Sequence, residues 1–208
     1  MEKPSFTYVL HEGGMILKPL TVQQKKDIQY NLLLAGILMA IYLITYLIHR
    51  ETMLFFWFFE TGGTLLAVTL FLHRIKPMYF YGLCLFAMFA QYGGVMFQLY
   101  VKIPYYDIGL HFCSGILLVF AGHYLFSILT RRFSGVDLPQ TVTLWFCGLF
   151  SVASAAVWEI WEFCADRFLG QNSQLGSLDD TMTDIIAGST GAILGLLLLA
   201  IVLRRRKK

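Results

Sequence analysis

Three short runs of polar residues stand at the edges of long apolar segments. They are Asp107-x3-His111, Glu159-x2-Glu162-x3-Asp166 and Asp179-Asp180-x3-Asp184, and their acids are seven of the 13 Asp and Glu residues in the chain. Residues three and four apart share a helix face. Asp107 therefore lies with His111, Asp180 with Asp184, and Glu159 with Glu162 and Asp166. If the three helices present these faces at one end of a bundle, the side chains converge on a common pocket. A carboxylate at the centre of a bilayer costs about 2.5–3.5 kcal/mol on insertion scales, and less near the interface. Several facing one another also repel, and a bound cation relieves both penalties. Carboxylates with one imidazole suit Mg²⁺, Mn²⁺, Zn²⁺ or Fe²⁺. The expected metal ligands are Asp107, His111, Glu162, Asp180 and Asp184. Glu159 is the expected general base, deprotonating or positioning a water that the metal activates.

Blander roles compete. Asp107, Asp179 and Asp180 stand where helix N-caps are expected, and Asp is a good cap. Asp166 can pair with Arg167 or solvent. Buried acids can also hold helices together through hydrogen bonds alone. His111, Glu159, Glu162 and Asp184 fit these roles less well, because they lie at least a turn inside. Asp107-x3-His111-x3-Gly115 and Asp180-x3-Asp184-x3-Gly188 share one pattern, with a glycine a turn below two polar residues. That arrangement lets a neighbouring helix approach closely, as does Gly191-x3-Gly195. Glu60 and Gln91 lie deeper, either bonded to each other or flooring the same cavity. His123 reads as a satisfied core histidine, and Trp158 and Trp161 as part of an interfacial aromatic belt.

The elements that position these residues are membrane spans. The chain of 208 residues is 57% hydrophobic and 14% charged, against about a quarter charged in soluble domains. The expected fold is all-α, a polytopic membrane bundle of about six helices. The expected spans are 30–48, 52–72, 78–100, 106–129, 141–163 (continuing as helix towards 168) and 180–203, each near the ~20 residues that cross a hydrocarbon core. Pro77, Pro104 and Pro139 fall near helix starts, where proline is tolerated. Residues 170–177 (GQNSQLGS) form the clearest polar loop. The first apolar run follows 29 mostly polar residues without a small-residue cleavage pattern, and reads as a retained anchor. The organisation is then an arm at 1–29, a transmembrane domain at 30–203 and a basic tail at 204–208.

Lysine and arginine set the orientation. Lys3, Lys18, Lys25, Lys26, Arg74, Lys76, Arg131, Arg132, Arg204, Arg205, Arg206, Lys207 and Lys208 fall on one side, leaving Arg50, Lys102 and Arg167 for the other. The positive-inside rule puts arm, tail and both termini in the cytoplasm and the acidic pocket at the outer face. The net charge of +3 is small, and the basic residues are scattered or terminal, which argues against a nucleic-acid partner. Cys84, Cys113, Cys147 and Cys164 form no close pair and read as free thiols within apolar runs.

Tyr106-Asp107-x3-His111-Phe112, Trp158-Glu159-x2-Glu162-Phe163-x2-Asp166 and Asp180-Thr181-Met182-x-Asp184 with Gly188 and Gly191 together resemble the YjdF-like family of bacterial inner-membrane proteins. The resemblance covers the carboxy-terminal half and implies a bacterial plasma-membrane location and importance for these residues, but no reaction. The D-x3-H-F opening and the D-x3-D-x6-G closing more distantly resemble VanZ-like membrane proteins of the cell envelope.

Three functions compete at this stage. A metal-dependent hydrolase or transferase would act at the outer leaflet on membrane lipid or a lipid-linked precursor. A cation or proton transporter would need polar residues continuing inward, where the helices turn apolar. A noncatalytic scaffold would use the cluster for structure alone. GxSxG, HExxH and Walker motifs are absent from the sequence.

Overall fold

The computed structural model describes residues 6–11, 14–49, 62, 77–94, 97–130, 138–174 and 176–205. The chain divides into two compact units, Met1–Lys102 and Ile103–Lys208. Four helices among the described residues are long and apolar enough to cross a membrane: Val22–Ile48, Tyr106–Leu129, Gln140–Leu169 and Leu178–Arg205. The expected helical membrane bundle is therefore present. Apart from residue 62, the segment at 52–72, with Glu60, lies outside the described residues, and so does any pairing of Glu60 with Gln91.

In the first unit, β1 (Phe6–His11) and β2 (Gly14–Pro19) form an antiparallel hairpin, with Phe6 opposite Pro19 and His11 opposite Gly14. Hydropathy does not reveal this element. Helix α1 (Val22–His49) begins inside the stretch expected as an arm. A capping box explains the early start. The Gln24 N–H donates to Thr21 Oγ1 at 3.1 Å and the Thr21 N–H to Gln24 Oε1 at 3.0 Å, which satisfies two donors that a helix start otherwise leaves open. Leu38 and Tyr42 of α1 pack with Phe80 and Cys84 of α2 (Pro77–Ala87).

The span expected at 78–100 is not one continuous helix. It passes from α2 into a π-helical stretch at Met88–Gly93, where Gln91 falls, and resumes as the short α3 (Leu99–Lys102). A π turn shifts the carbonyl pattern, and tyrosine hydroxyls take up the slack. Tyr42 O–H donates to the Ala87 carbonyl at 3.1 Å, and Tyr100 O–H to that of Ala90 at 2.8 Å. Gln98 takes a positive φ of 56° just before α3.

The second unit is a three-helix bundle of α4 (Tyr106–Leu129), α5 (Gln140–Leu169) and α6 (Leu178–Arg205). Helix α5 starts directly after Pro139 and runs past Phe163 to Leu169. Gly170, in the left-handed region at φ 69°, stops it by donating its N–H to the Ala165 carbonyl. Each helix buries a stripe at four-residue spacing. On α4 it is His111, Gly115 and Val119, and on α5 Cys147, Ser151, Ala155 and Glu159. On α6 it is Asp184, Gly188, Ala192 and Leu199, with Gly191 and Gly195 beside them.

Small residues in the middle of these stripes bring backbones into contact. A Cβ on Gly115 would collide with the Gly188 carbonyl oxygen, and one on Gly191 with that of Phe112. Helix α5 closes on this seam through Ala155, whose Cβ is 3.0 Å from where a Gly188 side chain would begin, and through Ser151, whose hydroxyl donates to the Gly115 carbonyl at 2.8 Å. The close approach expected from Gly115, Gly188 and Gly191-x3-Gly195 is thus realised. The polarity is inverted relative to a protein folded in water. His111, Glu159, Asp184 and Ser151 are buried, whereas Leu149 is 63% and Ile160 61% exposed. Only an apolar surrounding makes that distribution favourable. The chain is a multi-pass membrane protein.

Candidate metal site

The polar ends of the three stripes meet. Asp107 and His111 stand in the first two turns of α4, Asp180 and Asp184 in the first two of α6, and Glu159 in the closing turns of α5. Because α5 runs opposite to its neighbours, all of these ends fall together.

His111 Nε2 is the centre. It lies 3.5 Å from Asp107 Oδ1, 3.8 Å from Glu159 Oε1 and 3.9 Å from Asp184 Oδ2. Hydrogen bonds to nitrogen run at about 2.7–3.2 Å, so none of these is one. Ligands held about 2.1 Å from a tetrahedral ion stand about 3.4 Å from one another. The spacing resembles donor atoms around a cation more than partners in direct contact. One ligand atom from each of Asp107, His111 and Asp184 falls within 4.8 Å of the others.

Glu159 adds an independent observation. It is 3% exposed, and its Oε1, the atom aimed at His111, is buried with no hydrogen-bond partner. Two carboxylates about 4–5 Å apart repel by about 3–4 kcal/mol at an effective dielectric of 20. A buried acceptor left open among other acids is costly unless something positive shares the space. The donor set, one imidazole with carboxylates, fits a divalent ion, Zn²⁺, Mn²⁺ and Fe²⁺ taking such mixed sets most readily.

The remaining candidates stand outside this centre. Glu162 is half-buried and its Oε1 accepts the Trp158 indole N–H at 2.8 Å, along its own helix. Asp180 is half-buried at the rim, within electrostatic reach of Asp107, Glu159 and Asp184. Asp166 does not join Glu159 on an inward face. Its two oxygens accept the backbone N–H groups of Ser173 at 2.7 Å and Gln174 at 2.9 Å, folding the 170–174 loop back over the end of α5. The suggested caps are also reassigned. Helix α6 is capped by Ser177, whose Oγ accepts the Asp180 N–H at 3.3 Å, and α4 follows Tyr105, which makes no side-chain cap. Asp107, Asp179 and Asp180 occupy first turns, where the helix dipole favours negative charge.

Sequence reasoning missed Gln174. Its side-chain amide donates to the Glu159 carbonyl at 3.1 Å and reaches Glu159 Oε2 at 3.4 Å. A polar loop carries no periodicity to mark such a residue. Trp158 and Trp161 are exposed on α5, as an interfacial belt requires. All four cysteines are free thiols, with Cys84 and Cys147 buried and Cys113 exposed.

A family described as "Predicted membrane protein (DUF2238)" matches residues 30–205. The YjdF-like resemblance fits that family, while the VanZ-like likeness is not carried by it. An uncharacterised protein of Thermotoga maritima is 32% identical over 115 residues, 55% of each chain, so this chain spans about half the length of that relative. A bacterial relative is consistent with an inner-membrane location. No solved structure matches the chain.

Proposed function

This chain belongs to the DUF2238 family of membrane proteins, and from that premise we propose that its α4–α6 bundle is a metal-dependent hydrolase or transferase of an amphiphilic substrate. Asp107, His111 and Asp184 hold a divalent ion, with Asp180 and Glu162 adding negative charge at the rim. Such an ion would supply Lewis acidity there, and Glu159, through Oε1, would serve as the general base. The observation that carries this reading is the ring of three carboxylate oxygens at 3.5–3.9 Å from one buried imidazole nitrogen.

The substrate class follows from depth. Helix α5 has 30 residues, or about 45 Å of rise, against a hydrocarbon core about 30 Å thick. Its last turns therefore reach head-group level, where a lipid phosphate or a lipid-linked envelope precursor presents its polar end. The distribution of basic residues supports that end lying outside, with the termini in the cytoplasm. A transport path finds less support. Beyond the Gly115, Ser151, Ala155 and Gly188 seam, two or more turns from the site, Val119, Cys147, Ala192 and Leu199 are buried together as an apolar cluster.

Metal analysis of the purified full chain beside an Asp184→Asn, His111→Ala double variant tests the reading. The expected result is near-stoichiometric metal in the natural chain and a loss of at least about tenfold in the variant. Equal metal content in both sinks the proposal. With metal established, turnover of lipid phosphates in reconstituted vesicles separates the enzyme from a metal-stabilised scaffold.

A further inference from the structure

The 170–174 loop is tied to the site by a relay that the metal ligands do not explain. Asp166 accepts two successive backbone N–H groups, from Ser173 and Gln174, through its two oxygens. Gln171 N–H donates to the Ala165 carbonyl at 3.4 Å, so the loop is also bonded at its root. This double clamp fixes the backbone of Gln174 above the end of α5. The Gln174 amide then spans 15 residues back along the chain to Glu159, meeting both its carbonyl and Oε2.

The result is an asymmetric carboxylate. Oε2 of Glu159 has a donor, and Oε1 has none and faces His111. A carboxylate free to rotate would offer either oxygen to the site. Gln174, with Thr181 as a second side-chain partner of the carboxyl, holds one side of it and leaves Oε1 as its open oxygen, facing His111 beside Asp107 and Asp184. We propose that Gln174 is a positioning residue, clamped by Asp166, that selects and aims the Glu159 oxygen used at the metal site. The inference rests on the metal-site reading and deepens it. It also gives Asp166 a role distinct from ligation: it orders the loop that orders the base.

The test uses the detergent-solubilised full chain and Co²⁺ alone as the probe, read by affinity and by its ligand-field bands. The variants are Gln174→Ala, Gln174→Met, Asp166→Ala, Glu159→Gln and the Gln174→Ala, Glu159→Gln pair. Circular dichroism and monodispersity establish that each folds. Gln174→Met keeps the length of the side chain but loses the donor and adds no charge, so it stands in if the alanine variant fails to fold. Supporting partners around a metal site typically contribute 10- to 100-fold in affinity. Gln174→Ala and Gln174→Met should each weaken Co²⁺ binding by about tenfold and shift the bands as Glu159→Gln does. Asp166→Ala should follow in the same direction. The pair should be no worse than Glu159→Gln alone, because residues acting through one another are not additive. Unchanged affinity and bands in the Gln174 variants, or fully additive losses in the pair, overturn the positioning role while leaving the metal site standing. A natural chain that binds no Co²⁺ overturns the metal site and this inference with it.

Discussion

Glu159 and Asp184 are both buried acids beside His111, yet they stand differently towards it. Asp184 Oδ2 belongs to the compact trio with Asp107 and His111, whereas Glu159 stands to one side with an open oxygen. Substituting them should separate binding from chemistry. If the proposed chemistry holds, Glu159→Gln should retain metal within about tenfold while turnover of a lipid phosphate falls by about 10²–10⁴, the usual worth of a general base. Asp184→Asn should lose the metal itself. Elemental analysis beside a turnover assay distinguishes the two, and equal metal loss in both would make Glu159 a ligand instead. Ser177 and Asp179 provide a contrast away from the cluster. Ser177→Ala removes the α6 cap and should lower stability by about 1 kcal/mol, read as the thermal midpoint in detergent. Asp179 is exposed, and Asp179→Ser should change that midpoint little.

At the scale of elements, the site depends on how closely α4 and α6 approach. The seam is set by glycines whose missing side chains admit backbone, so adding one methyl group tests it. Gly191→Ala places a Cβ against the Phe112 carbonyl, one residue beyond His111. It should cost about 1–3 kcal/mol and weaken metal binding, because overpacking forces the helices apart. Gly109→Ala, on the same helix as His111, meets nothing within 4 Å. It should stabilise by about 0.5–1 kcal/mol through helix propensity and leave metal binding unchanged. Thermal midpoints with parallel metal titrations check both. A neutral Gly191→Ala would mean that the seam is looser than its geometry indicates. The seam was legible beforehand, because Gly115, Gly188, Gly191 and Gly195 recur at helical spacing beside polar residues. The break in the span at 78–100 was not. A π turn leaves the apolar pattern intact, and the tyrosine hydroxyls that accommodate it come from Tyr42, distant in sequence, and from Tyr100.

For the whole molecule, orientation decides which leaflet the site serves. Asn172 is exposed in the loop over the site, and Arg205 is exposed at the far end of α6. In intact cells, Asn172→Cys should react with a membrane-impermeant maleimide, and Arg205→Cys only after permeabilisation. The natural chain is the control, since Cys84 and Cys147 are buried and Cys113 and Cys164 lie within apolar helices. The opposite labelling pattern would move the site to the cytoplasmic leaflet and redirect the search for substrate. The apolar cluster of Val119, Cys147, Ala192 and Leu199, two or more turns from the site, makes the same point about function. A site sealed from one side suits chemistry on a surface-bound substrate better than passage through the α4–α6 bundle.

The sequence by itself determined that this is a multi-pass helical membrane protein, and it located the acids and histidine at the ends of three helices. Those conclusions rest on local quantities, hydropathy over about 20 residues and spacing of three or four, which the chain carries without reference to its fold. Only the tertiary structure decided that Glu159 enters the cluster while Glu162 turns to Trp158 and Asp166 to the loop. Spacing places all three on one broad face of α5, but which side chains point inward depends on the rotation of that helix against its neighbours. That rotation is set by Ser151 and Ala155 meeting the α4–α6 seam. Gln174 also depended on tertiary structure, because a loop finds its partner through chain reversal and leaves no periodic trace.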